Sequence, residues 1–397
     1  MIALTRKTYV LYVVILGLLT TIGPFSIDMY LPGFDDIARS LGTSPARVAL
    51  SLSSYFIGIS AGQLIYGPLL DRYGRKRPLF VGLGVYIIAT LICMEAKDIN
   101  TLIALRLIQA LGSCGAQVTA MAMVRDLFGA KESARVFSLL LLVIGLSPMI
   151  APTAGGYVVV SYGWRTVFLI LAILGGLITL LTIFFLPESY PPDKSFSLKP
   201  GQIIRNFIAV LRIRQFLIYV LVESFAFAGL FAYVSGSPIL FMNIFHVDKR
   251  TYGWIFAFLS VAFIGLSQFN SRLLRRYTGE KIIRVALTGQ VLVSVAFLAG
   301  TAAGWYGLGF TIFFLFLFLA FLGFTYPNAA ALALAPFDTN AGTASSLLGF
   351  LQLGIGALAS IGVGAFTNGT ALPMVAIIAG TSVTAFVICL LRPPTPS

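Results

Sequence analysis

Three ionisable side chains stand inside the long apolar runs of this 397-residue chain: Asp28 in "FSIDMYLP", Arg106 in "LIALRLIQALGSCGAQ" and Glu223 in "LVESFAFAGLF". A carboxylate in apolar surroundings can take up and release a proton, and a guanidinium nearby can bias that exchange. Charges buried in a membrane are costly and seldom persist without a role or a partner. On a helix, Arg106, Ser113 and Gln117 fall within about 20° of one face, with Gln109 about 60° aside. Such a polar stripe suits the wall of a cavity, although Arg106 could also snorkel to water from its place near a span end. Asp28 lies about 31 Å along a helix from Lys7. Arg106 lies about 9 Å inside the same membrane face. An Asp28–Arg106 couple, direct or bridged, is therefore open geometrically, as is the plainer reading of Asp28 as the place where the first span leaves the bilayer. Glu223, roughly 12 Å from the opposite face, reads either as a vestibule residue near Arg212 and Arg214 or as a substrate or second proton group. With Tyr30, the residues Arg106, Gln109, Ser113, Gln117 and Glu223 make the candidate substrate set, and Asp28 with Arg106 the candidate proton-coupling pair.

The elements that must position these groups follow from composition. The chain is 58% hydrophobic and 10% charged, against about 25% charged in soluble domains. A bilayer core needs roughly 20 apolar residues per helix, and the expected spans are 8–30, 47–70, 78–95, 100–124, 133–160, 164–186, 215–240, 251–273, 282–303, 305–334, 341–367 and 370–391. The runs are continuous rather than alternating, which favours helices over a barrel. The first run is too long for a signal peptide and lacks a small-x-small cleavage site, so it is expected to stay as an uncleaved span.

A net charge of +13 would point to nucleic acid in a soluble protein. Here twenty of the 27 Lys and Arg residues fall in alternate connections that share a side with the N-terminus, and six on the other side. By the positive-inside rule both termini are expected in the cytoplasm, and no nucleic-acid partner is expected. Cys93, Cys114 and Cys389 lie in apolar stretches without ligand spacing, and His246 is the single histidine, so neither a metal site nor a His-based triad is expected.

The proline- and charge-rich segment 187–207 divides the spans into two sets of six. The expected organisation is an N-terminal six-helix bundle (1–186), a cytoplasmic linker (187–214) and a C-terminal six-helix bundle (215–397). "LLDRYGRK" at 69–76 is echoed by "LLRRYTGEK" at 273–281, with Arg275 where the first copy has Asp71. Six-plus-six duplication is the mark of transporters that rock about a central site. In "GPLLDRYGRKRP", Gly67 permits close helix contact, Asp71 sits at a helix end, and Gly74 permits a tight turn. In "GLSPMIAPTAGG", two prolines and several glycines are tolerable only in a helix packed against protein.

At these residues the sequence resembles the major facilitator superfamily. Leu69, Asp71, Arg72, Gly74, Arg75 and Lys76 fit its loop signature G-x-L-x-D-R-x-G-R-[KR]. Pro148, Gly155 and Gly156 suit the span-five antiporter motif, with Pro152 and Ala154 as a looser variant around Gly145. Arg106, Gln109 and Gly112 match the span-four pattern R-x-x-Q-G-x-G, in which Ala110 replaces the first glycine. "IDMYLPGF", "SPMIAPTAGG", "GWRTVFL" and "LPES" together look like the bicyclomycin/chloramphenicol-resistance (Bcr/CflA) group of drug:proton antiporters. The resemblance implies an all-α membrane protein of twelve transmembrane helices in two six-helix bundles. It implies gating by Gly67, Asp71, Arg72, Gly74, Arg75, Asp126, Gly145, Pro148, Pro152, Gly155 and Gly156, with Asp71 facing the helix start near Asn340 and Ala341. It also implies proton coupling at Asp28 and Arg106. A second acid found in the first span of some relatives is absent, Thr20 and Thr21 occupying that region.

The expected function is proton-driven efflux of small amphipathic compounds or drugs across the bacterial inner membrane. The partners are a small-molecule substrate, protons and membrane lipid, the protein is a monomer, and no cofactor or metal is needed. A dedicated exporter of an endogenous metabolite, such as a siderophore, nucleoside or sugar, is the alternative. A membrane-embedded enzyme lacks the clustered His, Asp or Glu it would need. A receptor that uses a transporter fold without turnover is disfavoured by the intact charge motifs.

Overall fold

The computed structural model describes residues 6–193, 200–337, 341–367 and 369–391. The helices are α1 (Arg6–Asp28), α2 (Phe34–Ser40), α3 (Pro45–Tyr73), α4 (Lys76–Met94), α5 (Ile99–Leu127), α6 (Ala130–Tyr162) and α7 (Arg165–Phe185). After the linker come α8 (Pro200–Leu211), α9 (Arg214–Pro238), α10 (Lys249–Leu273), α11 (Gly279–Ala302), α12 (Leu308–Leu334), α13 (Ala341–Phe366) and α14 (Leu372–Cys389). Twelve of them are long and apolar enough to cross a membrane, the short α2 and α8 being the exceptions.

Local chemistry sets the ends. Ser44, Asp98, Asp248 and Thr278 each cap a helix N-terminus by accepting a backbone N–H, satisfying donors that the first turn leaves free. Gly74 ends α3 at φ +80, a left-handed conformation that a side chain would resist. The first span ends sooner than expected because Leu31–Gly33 forms a 3₁₀ turn that feeds α2, between the first two expected spans. Beyond Pro238, α9 continues as a wider π-helical turn over Ile239–Ile244.

The architecture is the expected one: all helical among the described residues, with two bundles of six long helices. In the first bundle Ile15, Leu16 and Leu19 of α1 pack on Leu83, Tyr86, Ala120 and Leu140 of its neighbours. Two seams join the bundles. Along one, α3 runs beside α13, and the Ser53 and Ser360 hydroxyls are 2.6 Å apart. Ser60 donates to the Phe350 carbonyl on the same seam. Along the other, α6 meets α10. The face that carries α8 and the α3–α4 turn is called here the linker side, and the face that carries α2 the far side.

Candidate functional site

A cavity of about 300 Å³ lies between the two bundles. Its walls are mostly apolar and carry a cluster of aromatic rings: Phe56 from the first bundle, and Phe227, Phe231, Tyr233, Phe256, Phe263 and Tyr326 from the second. Gln63, Gln117, Ser260 and Gln352 add hydrogen-bonding groups, and Asp28 is the one acidic or basic residue on the wall among the described residues. Asp28 is 5% exposed and its carboxylate has no hydrogen bond or ion pair among the described residues. The hydroxyls of Tyr233 and Tyr252 in the second bundle lie within its electrostatic reach. The Tyr252 hydroxyl is spoken for by Ser237 at 2.8 Å, whereas that of Tyr233 is buried without a partner. The last residue of α1 thus places an acid on the same cavity wall as the Tyr233 phenol of the second bundle.

Arg106 is placed differently from the expectation. It is fully buried inside the first bundle rather than on the cavity wall. Its Nη2 donates to the Ser26 carbonyl at 2.9 Å and its Nη1 to Gln109 Oε1 at 2.7 Å. Its guanidinium lies 4.2 Å from the centre of the Tyr55 ring and 4.7 Å from that of Tyr30. No ion pair joins it to Asp28. Ser26 lies in the last turn of α1, where carbonyls lack intrahelical donors, so Arg106 acts as a cationic cap on the helix that carries Asp28. Gln109, Ser113 and Tyr30 belong to the same packing. Gln109 donates to Thr90, Ser113 accepts from Tyr55, and Tyr30 shares a hydrogen bond with Ser51. The helical stripe is therefore split: Gln117 reaches the cavity, whereas Arg106 and Ser113 turn inward because the rings of Tyr30 and Tyr55 cover the guanidinium. Glu223 is also buried and off the cavity wall, and Arg212 and Arg214 do not pair with it; Arg214 donates instead to the Leu391 carbonyl.

On the far side the two bundles come into close backbone contact where α6 crosses α10. A Cβ on Gly156 would stand 2.6 Å from the Lys249 carbonyl oxygen, and one on Gly253 2.7 Å from the Thr153 backbone. Gly155 likewise abuts the Met29 carbonyl just past α1. Despite Pro148 and Pro152, α6 is one continuous helix. Pro148 reaches the cavity, and Gly145 packs on Ile264 nearby. Thr153 donates across the seam to the Gly253 carbonyl at 3.1 Å. Above this crossing Lys249 donates to Asp36 at 2.6 Å and Asn243 to Asp35 at 2.9 Å, both between bundles. Asp248, which caps α10, has its carboxyl held below the usual range by hydrogen bonds from the Thr251 side chain and backbone.

On the linker side the loop motif forms a charge cluster within the first bundle. Arg75 donates to Asp126 at 2.7 Å and to Asp71 at 3.0 Å. Burial works against the Arg75 charge, but the hydrogen bonds and charges of Asp126 and Asp71 outweigh it and raise Arg75 above its usual value. Glu188 accepts from the backbone N–H groups of Arg75 and Lys76, and a Cβ on Gly74 would stand 3.1 Å from that same carboxylate. Arg72 is half-buried at the end of α3, and Gly67 backs onto the Ser346 hydroxyl of α13. Asn340 and the side chain of Ala341, the expected partners of Asp71, lie outside the described residues. The Asp71 side chain is 47% exposed.

The family model of the Major Facilitator Superfamily matches residues 16–361. The chain belongs to this superfamily. Among facilitator relatives it is 33% identical to the Bicyclomycin resistance protein homolog of Haemophilus influenzae, over 93% of this chain and 92% of that one. It is 33% identical to the MFS-type transporter YdgK of Bacillus subtilis, over 96% and 94%, and 31% identical to the Multidrug resistance protein MdtL of Klebsiella pneumoniae, over 83% and 82%. These relatives support the Bcr/CflA group. A solved bacterial homolog of the human lysosomal transporter Spinster superposes with a TM-score of 0.74, covering 97% of this chain and 96% of that one at 16% identity. As a facilitator the protein is a multi-pass membrane transporter of small molecules and not an enzyme.

Sequence reading missed two parts of this facilitator's site. Asp36, Asn243, Lys249 and Gly253 form the far-side contacts, yet nothing in their local pattern sets them apart from ordinary loop and helix residues. The aromatic wall from α9, α10 and α12 was also missed, because 49 Phe and Tyr residues offer no periodicity that separates cavity from lipid.

Proposed function

We propose that this facilitator is a proton-coupled exporter of amphipathic organic compounds, with Asp28 as the group that exchanges the proton. The observation that carries this reading is the lone, unpartnered carboxylate of Asp28 on a wall shared by both bundles. A cavity of about 300 Å³ is at the lower end of drug-sized sites. Its aromatic lining favours flat or branched apolar bodies, and its few amides and hydroxyls suit scattered polar groups on many compounds. A sugar or nucleoside exporter would call for a denser polar wall, so the apolar lining favours broad efflux. The names of the bicyclomycin- and multidrug-resistance relatives support the same choice.

In the proposed cycle Asp28 takes a proton from the far side and substrate leaves. Release of that proton toward the linker side restores the carboxylate, and the cavity binds substrate beside Gln117 and the aromatic wall. Arg106 is a positioning residue: through the Ser26 carbonyl it fixes the end of α1 and hence where Asp28 points. The linker side and both termini face the cytoplasm of a bacterial inner membrane, as the twenty basic residues on that side favour. The far-side contacts then speak against an outward-open state. The transporter works as a monomer in lipid, and the proton gradient drives it without a cofactor.

The test is transport in proteoliposomes, with a panel of cationic, neutral and zwitterionic compounds. Asp28→Asn is expected to abolish efflux driven by a pH gradient. Full pH-dependent transport by that variant would overturn the proposal.

A further inference from the structure

Below the cavity, α9 carries Tyr219, Glu223, Phe227 and Leu230 on one helical stripe. Phe227 and Leu230 line the cavity, so Glu223 stands one turn below them, toward the linker side. Glu223 is fully buried, and neither carboxylate oxygen has a hydrogen-bond partner among the described residues. On the cavity side Tyr326 of α12 lies in its field, and the Tyr326 ring, itself on the cavity wall, is 5.0 Å from that of Phe227. From α11 comes Gln290, whose amide reaches the Ala226 carbonyl at 3.4 Å while its Oε1 is buried without a partner. From α13 comes Gln352, which bonds Tyr326 and carries no charge. One turn below Glu223, Tyr219 hydrogen-bonds Glu280 of α11, with Arg284 of α11 and Cys389 of α14 within electrostatic range, and Glu280 is exposed on the linker side. No cation pairs with Glu223 among the described residues.

A buried carboxylate that is ionised and has neither oxygen partnered is strongly unfavourable, and a bound proton removes the charge. The other buried acid of the spans, Asp28, faces open cavity; Glu223 does not, and packing alone gives no reason for an acid there. We propose that Glu223 is a second proton-binding site between the cavity and the linker side, and that Tyr326, Glu223, Tyr219 and Glu280 mark the route by which a proton taken up in the cavity leaves. The proton departs the Asp28 carboxyl, is held on a Glu223 oxygen, and passes to solvent beside Glu280. Only O–H bonds form and break, so no oxidant or co-reactant is involved. The route rests on the proton-coupled reading above; the proton on Glu223 does not.

The test uses the full chain with Glu223→Gln and the conservative Glu223→Asp, and two readouts. The first is infrared difference spectroscopy of the purified protein through a pH titration. A protonated-carboxyl C=O band present in the parent protein and in Asp28→Asn, but lost in Glu223→Gln, is the expected result. If that band is the same with and without Glu223, or is displaced by Na⁺ rather than by raised pH, the second proton site is overturned. The second readout compares gradient-driven efflux with substrate exchange at equal pH on both sides. Glu223→Gln is expected to slow gradient-driven efflux roughly a hundredfold, the scale of a lost proton-transfer group. Exchange should stay near the parent rate, and Glu223→Asp should recover part of the driven rate. Equal loss of both modes would make Glu223 a substrate or packing residue and overturn the route, as would unchanged driven efflux. If the parent protein itself shows no gradient dependence, the route falls together with proton coupling, and the infrared band still decides whether Glu223 holds a proton.

Discussion

The two ends of the molecule carry their charges to opposite purposes. On the far side the Asp36–Lys249 and Asp35–Asn243 contacts join one bundle to the other. On the linker side the richer cluster of Arg75, Asp71 and Asp126 stays within the first bundle, with Glu188 of the adjoining linker on the Arg75 backbone. In the proposed cycle the far-side bonds would have to break each time the bundles rock apart, and their side chains are partly exposed. The linker-side cluster is ready-made and can hold its shape while the second bundle moves past it. Conserving one set of bonds and exchanging the other is what a two-body rocking cycle needs.

The strongest way to break this contrast is at the helix crossing. Gly156→Val puts a side chain against the Lys249 carbonyl, 2.6 Å from the added Cβ, and backbone cannot step aside as a flexible side chain can. It is expected to cost the far-closed state about 3 kcal/mol, the upper end of overpacking. The checks are loss of efflux and a gain in labelling of a cysteine placed on the cavity wall, read from the far side. Unchanged labelling would mean that α6 and α10 do not form the seal. Next comes Arg75→Ala, which leaves Asp126 and Asp71 facing each other without their shared cation. Asp71 is half exposed, which discounts the buried-pair figure to about 2–3 kcal/mol of stability. Thermal unfolding in detergent should show this loss without a shift in far-side labelling. The smallest effect is at the far-side ion pair. A double-mutant cycle with Asp36→Asn and Lys249→Met should give a coupling of about 1 kcal/mol, since both side chains are about a fifth exposed. That coupling should appear in the labelling equilibrium and shrink in high salt; a coupling in unfolding alone would place the pair with the static contacts.

The glycine-rich stretch of α6 was legible because a glycine's use there is local: it lets any neighbour come close. Which neighbour came close was not legible. Gly156 met Lys249 and Gly155 met the end of α1, both distant in sequence. Arg106 shows the same limit more sharply. Its depth and helical face predicted a polar cavity wall, and Arg106 does lie level with the end of α1, on the Ser26 carbonyl. Its face depended on two tyrosines from α1 and α3, Tyr30 and Tyr55, which close over the guanidinium and turn it onto the Ser26 carbonyl. Asp28 reached the cavity because α1 stops there, and Glu223 was found buried because α11, α12 and α14 surround its turn of α9.

The sequence alone determined that the chain spans a membrane twelve times in two related halves, because hydrophobic length and charge distribution act residue by residue. It also marked the few buried ionisable groups, since their cost in apolar surroundings does not depend on fold. Only the tertiary structure decided which of them share a cavity, which are caged, and which bonds cross between bundles. Those are matters of helix rotation and partner identity, set by packing among segments tens to hundreds of residues apart, and no local pattern encodes them.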